Sequence, residues 1–276
     1  MHPKRPLIQA TELLQLANSP NLVLVDASNS KNAWENYVQK HLTGALFVDL
    51  DSQLADIKAD VSQGGRHPLP TLAQFSETLG KLGINPQSHV VVYDDKSGAN
   101  AAARFWWMLL AIGHPNVQVL DGGVQAAERA GFPLSVSLEQ PKESLPYPID
   151  AWQLPQADMD EVEKVAQDTD YLVIDVRDHD RYLGLVEPID LIAGHIQGAI
   201  NIPFSENLNA NGLFKSPSEL KAKYQEAFAE RPADQLIVHC GSGVTACHTL
   251  LAVAQAGLEI PKLYVGSWSE WSRNKY

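Results

Sequence analysis

Cys240 stands where the hydrophobic run Ile237-Val238-His239 breaks into Gly241-Ser242-Gly243, and this is the place in the chain where the residue types best suit chemistry. Helical periodicity resumes at once and predicts a helix from Val244 to about Ala256, stopped by Gly257. A cysteine in such a turn meets backbone N–H groups and the positive end of a helix dipole, and both favour thiolate over thiol. Gly241 and Gly243 let the backbone curl around the sulfur, because glycine takes positive φ without a Cβ clash. The second cysteine, Cys247, shares an apolar helix face with Leu250, Leu251 and Val253 and reads as core.

Several chemistries use a glycine-rich turn. A phosphate clamp needs an arginine six residues after the cysteine, and Ala246 stands there. Gly241 to Ala246 fits the dinucleotide pattern G-x-G-x-x-A with Glu259 downstream, but only 30 residues remain for the further βα units such a domain requires. His239, Cys240, Cys247 and His248 match no common zinc spacing, and Ser242 lies in G-S-G rather than in the G-x-S-x-G elbow of serine hydrolases. What remains is a thiolate among N–H donors, a setting that would also stabilise a terminal persulfide anion.

The elements that must position this loop occur twice. Leu22-Val23-Leu24-Val25-Asp26 and Tyr171-Leu172-Val173-Ile174-Asp175 are buried-strand patterns ending in an acid. They are followed by His41-Leu42-Thr43-Gly44-Ala45 and His195-Ile196-Gln197-Gly198-Ala199, then by the strands Val90–Asp94 and Leu236–Cys240. The last pair is Val117–Gly123 and Lys262–Trp268. Four landmarks in one order predict a duplicated domain, with Asp94 opposite Cys240, so one copy has the nucleophile and the other does not. Proline-rich sequence from 132 to 155 predicts an extended linker, giving domains at 1–135 and 154–276 joined by 136–153. Short apolar strands alternating with helices predict an α/β fold with a parallel sheet in each half. Thr71 with Gln74, and Ser216 with Glu219, have capping-box spacing, and Pro217 suits the first helical position. His41 and His195, at matched points, are expected to be structural, and Trp106, Trp107, Trp268 and Trp271 to be core or interface. A formal net charge of −12 over 276 residues argues against nucleic-acid or anionic-membrane partners. Two cysteines and no apolar leader suggest the cytoplasm.

The loop Cys240-Gly241-Ser242-Gly243-Val244-Thr245-Ala246, followed by Gly266-Ser267-Trp268-Ser269-Glu270-Trp271, resembles the two-domain rhodanese superfamily of 3-mercaptopyruvate and thiosulfate sulfurtransferases. Arg104-Phe105-Trp106-Trp107-Met108, Leu120-Asp121-Gly122-Gly123 and Gly194-His195-Ile196 extend the resemblance over nearly the whole chain. It implies two tandem rhodanese-like domains, the first catalytically silent, with no cofactor and no metal. Cys240 would take sulfur from a small anionic donor as a persulfide and pass it to a thiol, such as that of thioredoxin, or to cyanide. Backbone N–H groups from Gly241 to Thr245, with Gly243 and Val244 between, would cradle the sulfur. The resemblance also matches Ser242, Asp51 and His67 to a serine–aspartate–histidine set, and Arg181 to an arginine that binds the donor's anionic group. Arg66, adjacent to His67, is placed to touch an anion as well and is expected as a second anion contact. A further arginine found downstream in some mercaptopyruvate enzymes has no match in Glu187-Pro188-Ile189-Asp190, which favours thiosulfate. The uncharged Gly241-Ser242 pair favours 3-mercaptopyruvate, and as it touches the transferred sulfur we give it more weight. A non-catalytic sulfur-carrier module is the remaining alternative.

Overall fold

The computed structural model describes residues 5–142 and 144–276 and divides the chain into two compact units. The first comprises residues 5–54, 70–153 and 211–213, and the second 55–69, 154–210 and 214–276. The arm 55–69, which division by chain order places with the first domain, therefore packs with the second unit.

The first unit holds strands β1 (Leu7–Ile8), β2 (Leu22–Asp26), β3 (His41–Leu42), β4 (Ala45–Phe47), β5 (His89–Tyr93), β6 (Val117–Leu120) and β7 (Leu134–Ser135). Between them run helices α1 (Ala10–Leu16), α2 (Ala33–Gln39), α3 (Leu50–Gln53), α4 (Leu72–Lys81), α5 (Ala101–Ala111) and α6 (Gly123–Arg129). Five of the strands form a parallel sheet in the order β1-β6-β5-β2-β4, while β3 and β7 pair antiparallel. All five residues of β5 are buried, as expected of a strand covered on both faces. Trp106 and Trp107 are buried on α5. Thr71 and Gln74 form the reciprocal cap that starts α4.

The second unit repeats the order with β8 (Gln156–Ala157), β9 (Leu172–Asp175), β10 (Ile200–Asn201), β11 (Leu236–His239) and β12 (Lys262–Tyr264). Its helices are α7 (Met159–Val165), α8 (His179–Tyr182), α9 (Pro217–Phe228), α10 (Thr245–Gln255) and α11 (Ser267–Lys275). The parallel sheet β8-β12-β11-β9-β10 has the same order as the first when corresponding strands are matched. Ser216 and Glu219 cap α9 reciprocally and Pro217 opens it. The core here joins Val162, Val173, Ile196, Ile237, Tyr264, Trp268 and Trp271. Each fully buried aliphatic side chain of this kind is worth about 1.5–3 kcal/mol.

Register makes the correspondence residue by residue. Asp26 of β2 lies opposite Tyr93 of β5, and Asp175 of β9 lies opposite His239 of β11. The next residues along β5 and β11, at the carboxyl edges of the sheets, are Asp94 and Cys240. His41 and His195 also correspond. Each ring stacks on a tyrosine, Tyr37 or Tyr182, with centroids 4.0 Å apart, and each Nδ1–H donates to that tyrosine's carbonyl. The tyrosine hydroxyls donate in turn to Ala45 O and Ala199 O, both at 2.7 Å. These histidines hold turns in place. Among the described residues, no helix is long and apolar enough to cross a membrane.

Candidate active site

The Cys240 loop belongs to the second unit, at the carboxyl end of a parallel sheet, where α/β folds bind ligands. Cys240 is 1% exposed. Its N–H donates to Ser267 Oγ (3.2 Å), and its carbonyl accepts from the N–H of Trp268 (3.0 Å). The Gly241 carbonyl accepts from Ser269 N (2.9 Å). Ser267 has φ 54°, a left-handed conformation that costs a non-glycine residue about 1–2 kcal/mol. Its hydroxyl offsets that cost by donating to Tyr264 O (2.9 Å) while receiving the Cys240 amide. Gly243 has φ +72°, and a Cβ there would sit 2.6 Å from Val265 O, so this position requires glycine. The helix α10 begins at Thr245 with no side-chain cap. Among the described residues, the N–H groups of Gly241, Ser242, Val244 and Thr245 have no protein acceptor, which leaves four donors available to an anion at the loop.

His239, just before the loop, is fully buried. Its Nδ1–H donates to Cys240 O (3.1 Å), since a carbonyl only accepts. Burial pushes this imidazole below its usual range, although Asp175 acts in the opposite sense.

The arm 55–69 brings two further side chains to the loop. Gly64 N donates to Glu270 Oε1 (2.8 Å), Arg66 N to Ser269 Oγ (3.1 Å), and Asn274 Nδ2 to Ser62 O (2.9 Å), so the arm is fastened along α11. Gly65 (φ +81°) lets the two backbones meet, because a Cβ there would lie 2.4 Å from Gly266 O. The result is a hydrogen bond of 2.8 Å between His67 Nδ1 and Ser242 Oγ. Arg66 and Arg181 both reach Gly241. A Cβ on that glycine would be 3.0 Å from Arg66 Nη2 and 3.6 Å from Arg181 Nη2.

Carboxylates hold these arginines. Arg181 Nη2 pairs with Glu187 Oε1 at 2.7 Å, and Arg66 Nη1 pairs with Asp190 Oδ1. Asp190 also receives Arg273 at 3.2 Å and Arg181 at 3.6 Å. Glu187 bridges on to Arg177 (3.3 Å), which grips Asp175 (2.6 Å) and lies over the Trp268 ring, 5.0 Å from its centroid. Burial raises the Glu187 carboxyl, but the Arg181 guanidinium and the N–H groups of Asp190 and Ile189 outweigh it and hold the group below its usual range.

Of the residues singled out from the sequence, Cys240, Gly241, Ser242, Gly243, Val244, Thr245, His67, Arg66 and Arg181 come together within the second unit. Asp51 belongs to the first unit, on α3, and is exposed. Partial desolvation of the carboxyl, and then Asp49 beside it, raise its pKa even though the residue as a whole is exposed, and Asp49 is the residue that caps the helix. Glu187, Asp190, Arg177, Arg273 and Ser267 also belong to the site, although no motif in the sequence marks them as such. The one available signal was Asp175-Val176-Arg177 at the end of a strand, an acid–base pair on the edge where ligands bind.

Comparison with known proteins places this geometry. The rhodanese-like domain profile matches residues 9–130 and again 158–274. A probable 3-mercaptopyruvate sulfurtransferase of Pseudomonas aeruginosa is 39% identical over 276 residues, covering 96% of this chain and 94% of that protein. The thiosulfate sulfurtransferase of Mus musculus is 34% identical, covering 92% of this chain and 86% of its own. Among solved structures, the 3-mercaptopyruvate sulfurtransferase from Leishmania major superposes with a TM-score of 0.85 at 29% identity, covering 99% of this chain and 76% of that one. With two profile matches, near full-length relatives and the same fold, the chain belongs to the rhodanese family as a protein of two rhodanese-like domains.

Proposed function

We propose that this protein is a sulfurtransferase in which Cys240 takes sulfur from 3-mercaptopyruvate and holds it as a persulfide until a thiol or cyanide removes it. The observation that carries the choice of donor is the His67–Ser242 hydrogen bond, two residues from Cys240. The two donors differ in their need for a proton. When a thiolate attacks the outer sulfur of thiosulfate, the S–S bond breaks and sulfite departs with the electron pair, unprotonated. When it attacks the thiol of 3-mercaptopyruvate, the C–S bond breaks and the electron pair goes to carbon as an enolate. That carbon needs a proton to become pyruvate, and the thiol's own proton must be carried to it. A hydroxyl hydrogen-bonded to an imidazole relays such a proton.

Other residues take roles that follow from their positions. N–H groups from Gly241 to Thr245 stabilise the negative charge on the outer persulfide sulfur. Arg181 and Arg66 hold the donor carboxylate beside Gly241. The family resemblance adds Asp51 to the proton set, and Asp51→Asn should lower turnover with 3-mercaptopyruvate if it belongs there. The acceptor is a small thiol or a protein thiol such as that of thioredoxin. Both cysteines are free, consistent with a reducing cytoplasm.

One observation favours thiosulfate as a second donor. Two guanidinium groups at Gly241 suit a dianion. The experiment compares kcat/KM for both donors in the wild type and in His67→Ala. Loss of the relay should cost about 10²-fold or more with 3-mercaptopyruvate and leave thiosulfate nearly unchanged. Equal losses with both donors would remove the proton-transfer role, and faster wild-type turnover with thiosulfate would reverse the donor assignment.

A further inference from the structure

We propose that Asp190 and Glu187 determine donor specificity by reducing the anion site to a single surplus positive charge, which selects monoanionic donors over dianionic ones. This rests on the sulfur-transfer reading given above. Arg66 and Arg181, the two cations at Gly241, are both ion-paired to Asp190, and Arg181 is also paired to Glu187. Neither acid is a solvated surface group, as their side chains are 0% and 4% exposed. Following the pairs outward adds Arg273 through Asp190, Arg177 through Glu187, and Asp175 through Arg177. The connected set holds four arginines and three carboxylates, one positive charge in excess. His239, 3.9 Å from Asp175, adds no charge while its buried imidazole is neutral.

A mercaptopyruvate carboxylate matches a surplus of one. A thiosulfate dianion matches a surplus of two and would bring an uncompensated negative charge beside largely buried arginines. The acids also hold the arginine forks in position, so a donor meets oriented N–H donors whose net charge has been lowered. The two features of the sequence that pointed in opposite directions are thereby joined. The segment that lacks an arginine contains the two carboxylates that offset the arginines already present.

The test changes the surplus in both directions. Asp190→Asn and Glu187→Gln each raise it from one to two, and Arg273→Gln lowers it to none. One added charge acts twice as strongly on a dianion as on a monoanion. The ratio of kcat/KM for thiosulfate to that for 3-mercaptopyruvate should therefore rise on the order of tenfold in each acid variant and fall by a similar factor in Arg273→Gln. A ratio that stays within about twofold of wild type in all three overturns the proposal. Binding of sulfite and pyruvate to the Cys240→Ser background, with and without each change, reads the same selectivity without turnover. If the wild type transfers sulfur from neither donor, the functional reading fails while this binding ratio still decides the charge rule. Sulfite binding that does not improve relative to pyruvate in either acid variant counts against the rule, whatever the turnover shows.

Discussion

The Asp94 and Cys240 loops occupy the same register position at the ends of corresponding strands, yet they use their backbone N–H groups in opposite ways. Asp94 turns its carboxylate into its own loop. Oδ1 accepts from Lys96 N (2.9 Å) and Gly98 N (2.8 Å), and Oδ2 from Asn100 N (3.0 Å) and Ala102 N (3.3 Å). Four donors are thus satisfied by a side chain of the protein. In the Cys240 loop, four N–H groups have no protein acceptor among the described residues. The framing is otherwise shared: Asp94 O accepts from Val124 N, and Cys240 O from Trp268 N, both at 3.0 Å. The residue before each donor is left-handed, Gly123 at φ 59° and Ser267 at φ 54°. The first half is a completed anion cradle filled from within, and the second is the same cradle open to a ligand.

The sharpest way to break this comparison is to exchange the residues that define it. Cys240→Ser should lower sulfur transfer by about 10⁴-fold or more, while Asp94→Ala should leave turnover per folded molecule unchanged. Placing Asp94→Cys in the Cys240→Ser background should restore no activity. The helix there begins seven residues after Asp94 rather than the five after Cys240, so a sulfur at position 94 would meet differently placed N–H groups. Activity in this double variant, measured with either donor, would show that the loop alone suffices.

Glycine changes give the next effect. Gly243→Ala forces a Cβ toward Val265 O in a left-handed conformation and should cost about 1–3 kcal/mol of stability with a large loss of kcat. Gly123→Ala meets Asp94 O at 2.4 Å and should cost a similar amount in thermal or denaturant unfolding, with kcat per folded molecule retained. Equal loss of kcat in both variants would contradict the separation of roles.

The smallest expected effect on turnover is a pH effect, which acts on stability alone. Burial raises the Asp94 carboxyl to about 6, opposed by its N–H partners. An acid whose folded pKa lies above its unfolded value contributes stability that is full below the unfolded value, near 4, and is lost as pH rises through about 6. Asp94→Asn removes that dependence. Relative to wild type the variant should gain up to about 3 kcal/mol between pH 4 and 7, on top of a constant loss from its weaker acceptor. Denaturant titrations across that range that give parallel curves would exclude the titration.

Much of this was legible because it is local. Strand, glycine turn and helix around Cys240 follow from about twenty consecutive residues, and the capping boxes at Thr71 and Ser216 follow from four each. The opposition of Asp94 to Cys240 followed from aligning repeated strand patterns. Its consequence did not, because an aspartate without a thiol reads as a missing nucleophile, whereas the structure gives it four N–H partners. The arm 55–69 was out of reach for a different reason. Its place is fixed by contacts of Gly64 and Gly65 with Glu270 and Gly266, some two hundred residues away. Pairing of Arg66, Arg181 and Arg273 with Asp190 is equally nonlocal, and polar residues in loops have no periodicity from which to infer partners.

The proposed function requires that the open cradle hold a transferred sulfur on Cys240 alone. Intact-mass measurement after incubation with 3-mercaptopyruvate, followed by peptide mapping, tests it most directly. The protein should gain one sulfur atom, mapped to the Cys240 peptide and removed by added thiol, and Cys240→Ser should gain none. Sulfur mapped to Cys247, or a Cys240→Ser protein that still transfers sulfur, would contradict the account.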